Sequence, residues 1–138
     1  MQPGNNADLR RERVHSGCLL CGAGNPWSFR LTFAPDADGV KSKFQTHPNL
    51  QGYDGILHGG VTSALLDAAM THCLFHHGVR AVTADLHVRF LHPIPCPECL
   101  ALRSWMAASK PPLYKVKSEL WVEDRLMARA EASFIRFM

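Results

Sequence analysis

Hydrophobic and polar residues alternate with a period of two in six segments of the chain, the pattern of half-buried β-strands. The first two segments, residues 28–33 and 40–45, flank Asp-Ala-Asp-Gly at 36–39, a sequence typical of a tight turn, so they predict a hairpin. Four more segments lie in the second half of the chain, at 82–91, 100–108, 113–122 and 126–137. The last of them carries Ala128, Ala130, Ala132 and Phe134 on one face.

Residues 59–76 have a different pattern, because they are apolar on nearly every side. A helix over this segment would be roughly 27 Å long, and a helix that is apolar all round is normally buried. Antiparallel strands with short connections can bury such a helix by curling around it. The sequence therefore predicts one α+β domain over residues 1–138, a curled antiparallel sheet of about six strands around one long central helix. Residues 1–17 are expected to form a flexible or helical N-terminal arm.

Composition and charge exclude several classes of protein. The chain has 138 residues, 46% of them hydrophobic, and a formal net charge of +3, which is too small a basic excess to indicate nucleic-acid binding. No apolar run reaches the roughly 18 residues that a membrane span needs, so no membrane association is expected. The polar N-terminus, with Arg10, Arg11 and Arg13, lacks the apolar core of an export signal. These features predict a cytoplasmic protein.

Asp67 is the only formally charged residue of the predicted helix. An unpaired carboxylate costs several kcal/mol to bury, or else its pKa rises. One interpretation is that Asp67 is a general base or a nucleophile with a tuned pKa. The structural alternative is an ion pair with Arg80 or Arg89, or a bond to a backbone group.

His58-Gly59-Gly60 stands where the helix should begin. Glycines leave backbone N–H groups unshielded, and the helix dipole adds positive charge there, which is what an oxyanion hole requires. A simple turn into the helix would also use glycine. Gly59 and Asp67 are eight residues apart, or about 12 Å along a helix, so one small carbonyl cannot touch both in one chain. If both act on it, the protein is an obligate homodimer with antiparallel helices and two shared sites.

Residues 51–67, which include Gln51, the His-Gly-Gly sequence and Asp67, resemble the motif of PaaI-like acyl-CoA thioesterases of the hotdog superfamily. The segment 83–93 is similar to the strand that follows the helix in that family, and Cys-Leu-Leu-Cys-Gly at 18–22 is similar to the opening of a bacterial subgroup. The resemblance extends from about residue 18 to the end. It implies a hotdog fold, hydrolysis of an acyl-CoA thioester without a cofactor, and homodimers that pair into tetramers.

The resemblance also implies roles for individual residues. The Gly59 amide would hold the thioester oxygen, His58 would shape the loop, and Asp67 of the partner subunit would activate water or attack the carbonyl. Thr83 matches a Ser or Thr position that can hold the water, although threonine is also common in strands for packing reasons.

Gly60 and Gln51 are the candidate substrate-binding residues. Some family members carry Asn or Gln six residues before the histidine. Gly52 occupies that position here, with Gln51 next to it.

The sequence leaves two alternatives to hydrolysis. The first is a non-catalytic acyl-CoA binding or sensing module, which would gain nothing from a buried acid. The second is a hotdog hydratase or dehydratase, but the Asp-x-Asn-Pro-x-His pattern is missing. The sequence predicts neither the acyl group nor the residues that contact the CoA phosphates.

The five cysteines suggest a second kind of site. Cys18 and Cys21 form one Cys-x-x-Cys pair, and Cys96 and Cys99 form another. Together they could hold zinc, and His15, Cys18 and Cys21 are a second possible ligand set. The two pairs are much farther apart than in zinc ribbons, and an odd cysteine count in a chain without an export signal is typical of reduced thiols. We therefore expect structural thiols and no metal.

Overall fold

The computed structural model describes residues 14–137, in which a single sheet wraps around one long helix. The helix, α1, spans Gly59–His76, the bounds that the apolar pattern predicts. The six strands of the sheet are β1 (Ala34–Asp36), β2 (Gly39–Gln45), β3 (Ala81–Phe90), β4 (Cys99–Lys110), β5 (Leu113–Val122) and β6 (Arg125–Arg136). Their order is β1-β2-β4-β5-β6-β3, and every neighbouring pair is antiparallel. The predicted α+β hotdog architecture is confirmed.

The core lies between α1 and the concave face of the sheet. Leu65, Leu66, Ala69 and Met70 of α1 are fully buried. They pack in one cluster with the inward row of β6, which consists of Ala128, Ala130, Ala132 and Phe134. Small side chains in that row allow the helix to approach the sheet closely. The Ser118 hydroxyl of β5 donates a hydrogen bond of 3.1 Å to the Leu66 carbonyl. This bond and the packing fix how far α1 stands from the sheet.

The prediction of a strand at residues 28–33 is wrong. The backbone N–H groups of Phe29 and Leu31 donate to the carbonyls of Leu19 and Leu20 rather than to a strand of the sheet. Arg30 between them has φ +57°, which interrupts extended backbone. The ladder begins only at Ala34, in the three-residue strand β1.

Two expectations about the N-terminal half have mixed outcomes. The turn at 36–39 forms as predicted, because Asp36 pairs with Gly39 across Ala37 and Asp38. Residues 1–13 of the arm predicted at 1–17 lie outside the described residues.

Within residues 14–137, no helix is long and apolar enough to cross a membrane.

Strand β3 lies at one edge of the sheet and contains a β-bulge. Thr83 pairs with Phe134 and Asp85 pairs with Ser133, so Ala84 is an extra residue with no pairing partner on β6. Since Phe134 and Ala132 face the core, their partners Thr83 and Leu86 face it too. If alternation from Leu86 continued regularly through Ala84, Thr83 would lie on the outer face. The bulge at Ala84 therefore brings the Thr83 hydroxyl to the helix side of the sheet.

Candidate active site

The start of α1 is capped by the side chain of His58. His58 has extended backbone angles (φ −59°, ψ 132°), and its Nδ1 accepts a 2.8 Å hydrogen bond from the Gly60 N–H. A Cβ on Gly60 would stand 3.0 Å from that nitrogen, so this close approach favours glycine. The Gly59 N–H, in contrast, donates to no residue between 14 and 137. Gly59 thus presents a free donor at the positive end of the helix dipole.

Replacement of His58 by alanine is expected to destabilise the fold. The Gly60 N–H would lose its acceptor, and loss of an N-cap costs about 1 kcal/mol. The measurement is the free energy of unfolding in urea, with an unchanged m-value. His58→Asn, which carries a preferred capping side chain, should recover most of the loss. Equal stability of the wild type and His58→Ala would contradict a capping role.

A groove of about 580 Å³ opens beside the helix start. Its lining includes His58, Gly59 and Thr62 from the beginning of the helix and Phe90 from the end of β3, together with residues of the loops at 52–57 and 91–94. The Phe90 ring is 53% exposed, and its nearest carbons are 3.7 Å from the position of a Cβ on Gly59. The free N–H of Gly59 thus belongs to a residue that lines a largely apolar groove.

Asp67 lies two turns further along α1, where it meets Thr83. The Thr83 hydroxyl donates a 2.6 Å hydrogen bond to Asp67 Oδ1. The Asp67 residue is partly buried, and this burial raises the pKa of its carboxyl, while the hydrogen bond from Thr83 opposes the rise. The fold brings these two predicted residues together.

The structural alternative for Asp67, an arginine partner, is not formed in residues 14–137. None of the salt bridges there includes Asp67. The Arg80 guanidinium instead lies over the Phe137 ring, 4.7 Å from its centroid. Arg89 is exposed on β3, where its cross-strand partner is Arg129. Among residues 14–137, the Asp67 carboxyl therefore has a hydroxyl donor and no cationic partner.

Gln51 is placed away from the chemistry. Its side-chain oxygen accepts a 2.9 Å hydrogen bond from the Gly55 N–H, which closes the loop before His58. The residue is exposed and does not line the groove, whereas its neighbour Gly52 does. A Cβ on Gly52 would lie 3.4 Å from the His58 Cα, so the loop packs directly on the capping residue.

The candidate site residues form two groups, called half-sites here, that are separate within one chain. The first half is the Gly59 donor in the groove, and the second is the Asp67–Thr83 pair. Neither Asp67 nor Thr83 lines the groove. Sequence reasoning found all of these residues but missed the bulge at Ala84, which no residue pattern indicates.

Comparison with known proteins assigns the family. A sequence model described as "Thioesterase superfamily" matches residues 54–131, more than half of the chain and nearly all of the site. The chain belongs to the thioesterase superfamily. Bovine acyl-coenzyme A thioesterase THEM4 is 36% identical over 61 residues, which are 44% of this chain and 24% of that protein. The matched region thus spans about a quarter of this curated relative's length.

Solved structures of other proteins share the fold. The PaaI protein of the E. coli phenylacetic acid degradation operon superposes with a TM-score of 0.81 at 14% identity, over 99% of this chain and 94% of its own. A hypothetical thioesterase from Streptococcus pneumoniae, solved with coenzyme A, gives a TM-score of 0.72 at 16% identity, over 78% and 85% of the two chains. The expected resemblance to PaaI-like hotdog thioesterases is confirmed.

Proposed function

We propose that this protein hydrolyses an acyl-CoA thioester to a free acid and CoA, in a site that two chains complete. The observation that carries the proposal is the Asp67 carboxylate, which is partly buried, has no cationic partner within residues 14–137, and accepts a 2.6 Å hydrogen bond from the Thr83 hydroxyl. The family supports thioester chemistry. The names of the bovine relative and of the coenzyme A-bound streptococcal structure support CoA as the carrier of the acyl group.

The geometry of β3 explains how two chains would join the half-sites. Gly59 lies by Phe90 at one end of this strand, and Asp67 bonds to Thr83 at the other end. The outer edge of β3 has no neighbouring strand in residues 14–137, and an open edge of this length can pair with a second copy. Antiparallel pairing of two β3 strands would set the Phe90 end of one beside the Thr83 end of the other. Gly59 would then face Asp67 of the partner subunit.

Exposed apolar side chains on β3 support the same pairing. Val82 is 50% exposed and Phe90 is 53% exposed. A second copy would remove both from water, which favours association. The pairing of two such dimers into a tetramer and a cytoplasmic location stay predictions.

The proposed roles follow from the donors and acceptors present. The thioester carbonyl accepts a hydrogen bond from the Gly59 N–H, which stabilises the oxyanion as it forms. The Asp67 anion of the partner subunit removes a proton from the attacking water or attacks the carbonyl itself. Thr83 holds that carboxylate in position. When Asp67 acts as the base, the tetrahedral intermediate expels the CoA thiolate, which takes the proton that Asp67 removed from water. When Asp67 attacks the carbonyl, the CoA thiolate leaves behind an acyl-aspartyl anhydride, which water then hydrolyses to the free acid and the Asp67 carboxylate. Gly60 and Gln51 would contribute to substrate binding indirectly. Gly60 donates a hydrogen bond to the side chain of His58, and Gln51 accepts one from Gly55 that closes the loop before His58.

A panel of acyl-CoA thioesters, with a thiol-reactive dye to detect free CoA, tests the proposal directly. Release of CoA from at least one thioester at an enzymatic rate supports hydrolysis. Tight binding of acyl-CoA without any turnover would instead favour the sensing module.

The pH profile of kcat/KM reports the reactive form of Asp67. Because the anion reacts, the rate rises with pH through the pKa of this carboxyl, which burial places above the ordinary aspartate value. Thr83→Val removes the hydrogen bond that lowers the pKa of Asp67, so the acidic limb of this variant's pH profile should move to higher pH. Thr83→Ser keeps the hydroxyl and should retain the wild-type limb. A limb that moves to lower pH in Thr83→Val would contradict the assignment.

A further inference from the structure

A cluster of one histidine and two cysteines lies outside the proposed active site, in a loop that the thioesterase chemistry does not use. The metal-binding atoms of His15, Cys18 and Cys21 all lie within 4.8 Å of one another. Cys21 is buried, and the other two residues are partly buried. Among the residues described, 14–137, this is the one group of three or more potential metal ligands.

The distance between Cys21 and His15 fits two ligands of one tetrahedral metal ion, and Cys18 Sγ lies within 4.8 Å of both ligand atoms. With Zn–S near 2.3 Å and Zn–N near 2.0 Å, two ligand atoms on one tetrahedral zinc ion stand about 3.6 Å apart when one is nitrogen and the other sulfur. Cys21 Sγ and His15 Nδ1 are 3.5 Å apart. The His15 ring also meets the Phe75 ring edge-on, with centroids 4.9 Å apart, which orients the imidazole against the end of α1.

Backbone hydrogen bonds in the loop at residues 18–22 position the sulfur atoms of Cys18 and Cys21. The Leu20 N–H donates a 3.3 Å hydrogen bond to Cys18 Sγ, a contact that stabilises a thiolate ligand. The Gly22 N–H donates to the Cys18 carbonyl at 2.9 Å and closes the turn. A Cβ at Gly22 would stand 2.4 Å from the Ser16 carbonyl oxygen, so only glycine fits there. The Cys-x-x-Cys-Gly sequence thus forms a tight turn with both sulfurs on one side.

The second Cys-x-x-Cys pair does not join this cluster. The Cys96 thiol donates to the His47 carbonyl at 3.2 Å, and Cys99 is exposed. The four-thiolate site considered from the sequence is therefore not formed. Cys96 and Cys99 have the same spacing in the chain and serve as an internal control.

We propose that His15, Cys18 and Cys21 bind one zinc-class divalent cation, which fastens the loop to the end of α1. This site is independent of the proposed hydrolysis. Binding would release the two thiol protons, and the two thiolates would balance the charge of the ion. Arg80, whose charge acts on His15, would face a neutral complex rather than a bare cation. Solvent would occupy the fourth coordination position.

Metal content is the direct test. The full chain, purified without a metal-affinity tag, saturated with Zn²⁺ and desalted, should hold about one zinc ion per chain. Cys18→Ser, Cys21→Ser and His15→Ala should lose it, and Cys99→Ser should keep it. Replacement by Co²⁺ should produce a sulfur-to-cobalt charge-transfer absorption in the wild type and in Cys99→Ser, but not in Cys18→Ser.

A second measurement covers variants that fold poorly. The melting temperature of the wild type should fall after chelation and recover with Zn²⁺, whereas the double variant Cys18→Ser/Cys21→Ser should not respond. The proposal is overturned if the saturated wild type holds less than about a tenth of an ion per chain. It is equally overturned if Cys99→Ser loses as much zinc as Cys18→Ser, or if mass analysis of the purified protein shows a Cys18–Cys21 disulfide.

Discussion

Asp67→Asn is expected to lower kcat for the best acyl-CoA substrate by about 10²- to 10⁴-fold, the usual contribution of a positioned acid or base. Asparagine has nearly the same shape as aspartate and can still accept the hydrogen bond from the Thr83 hydroxyl. It cannot take a proton from water or attack a carbonyl as an anion. The loss should therefore fall on kcat more than on KM.

Folding controls separate this loss from damage to the structure. Since burial raises the pKa of Asp67 in the folded chain, the folded state binds this proton more tightly than the unfolded state. Stability is then highest below the unfolded pKa and falls as pH rises through the folded value. At neutral pH, Asp67→Asn should be at least as stable as the wild type. Asp124→Asn, in the exposed turn between β5 and β6, should leave both rate and stability unchanged. Wild-type turnover by Asp67→Asn would refute the proposed role.

Gly59→Pro is expected to lower kcat by about 10²- to 10³-fold, the loss typical when one oxyanion donor is removed. Proline lacks the N–H but is tolerated at the first position of a helix, where that group has no helical partner. The extended backbone of His58 suits a residue that precedes proline. Gly59→Ala is the matched control, because it keeps the N–H and its Cβ would make an ordinary 3.7 Å contact with the Phe90 ring.

Combining the two inactive variants tests whether the half-sites come from different chains. In a heterodimer of Gly59→Pro with Asp67→Asn, one composite site would carry both substitutions and the other would carry neither. Co-expression with two different tags and tandem purification should therefore yield about half of the wild-type activity per dimer. A heterodimer as inactive as its parents would show that each site lies within one chain, or that Gly59 and Asp67 do not act together.

The elements that could be predicted from the sequence are those whose pattern has one explanation. Residues 59–76 are apolar on all sides and follow two glycines, so the bounds of α1 and its burial were predictable. Asp67 was conspicuous because a lone charge in such a helix is costly. The alternation at 28–33 was misleading because burial with a period of two does not require a ladder. Leu31 is buried and the Phe29 ring stacks on Phe44, yet the backbone bonds go to Leu19 and Leu20.

The position of Thr83 relative to the sheet was beyond prediction for a related reason. Val82, Ala84, Leu86, Val88 and Phe90 are all apolar, so regular alternation assigns the even-numbered residues of β3 to the core face. The structure keeps Leu86 and Val88 on that face but exchanges Val82 for Thr83. The sequence supports a site shared by two chains through one argument, which is the length of helix between Gly59 and Asp67.

The bulge in β3 makes the spacing of residues matter as much as their identity. If the strand flattened at Ala84 without a change in length, regular alternation from Leu86 would turn the threonine hydroxyl away from Asp67, with every reactive side chain still encoded. Loss of Ala84 would instead leave a regular strand in which Thr83 still pairs with Phe134 on the core face. Natural variation in this strand should therefore keep either this bulge or a strand that is one residue shorter, because both place the threonine opposite Phe134.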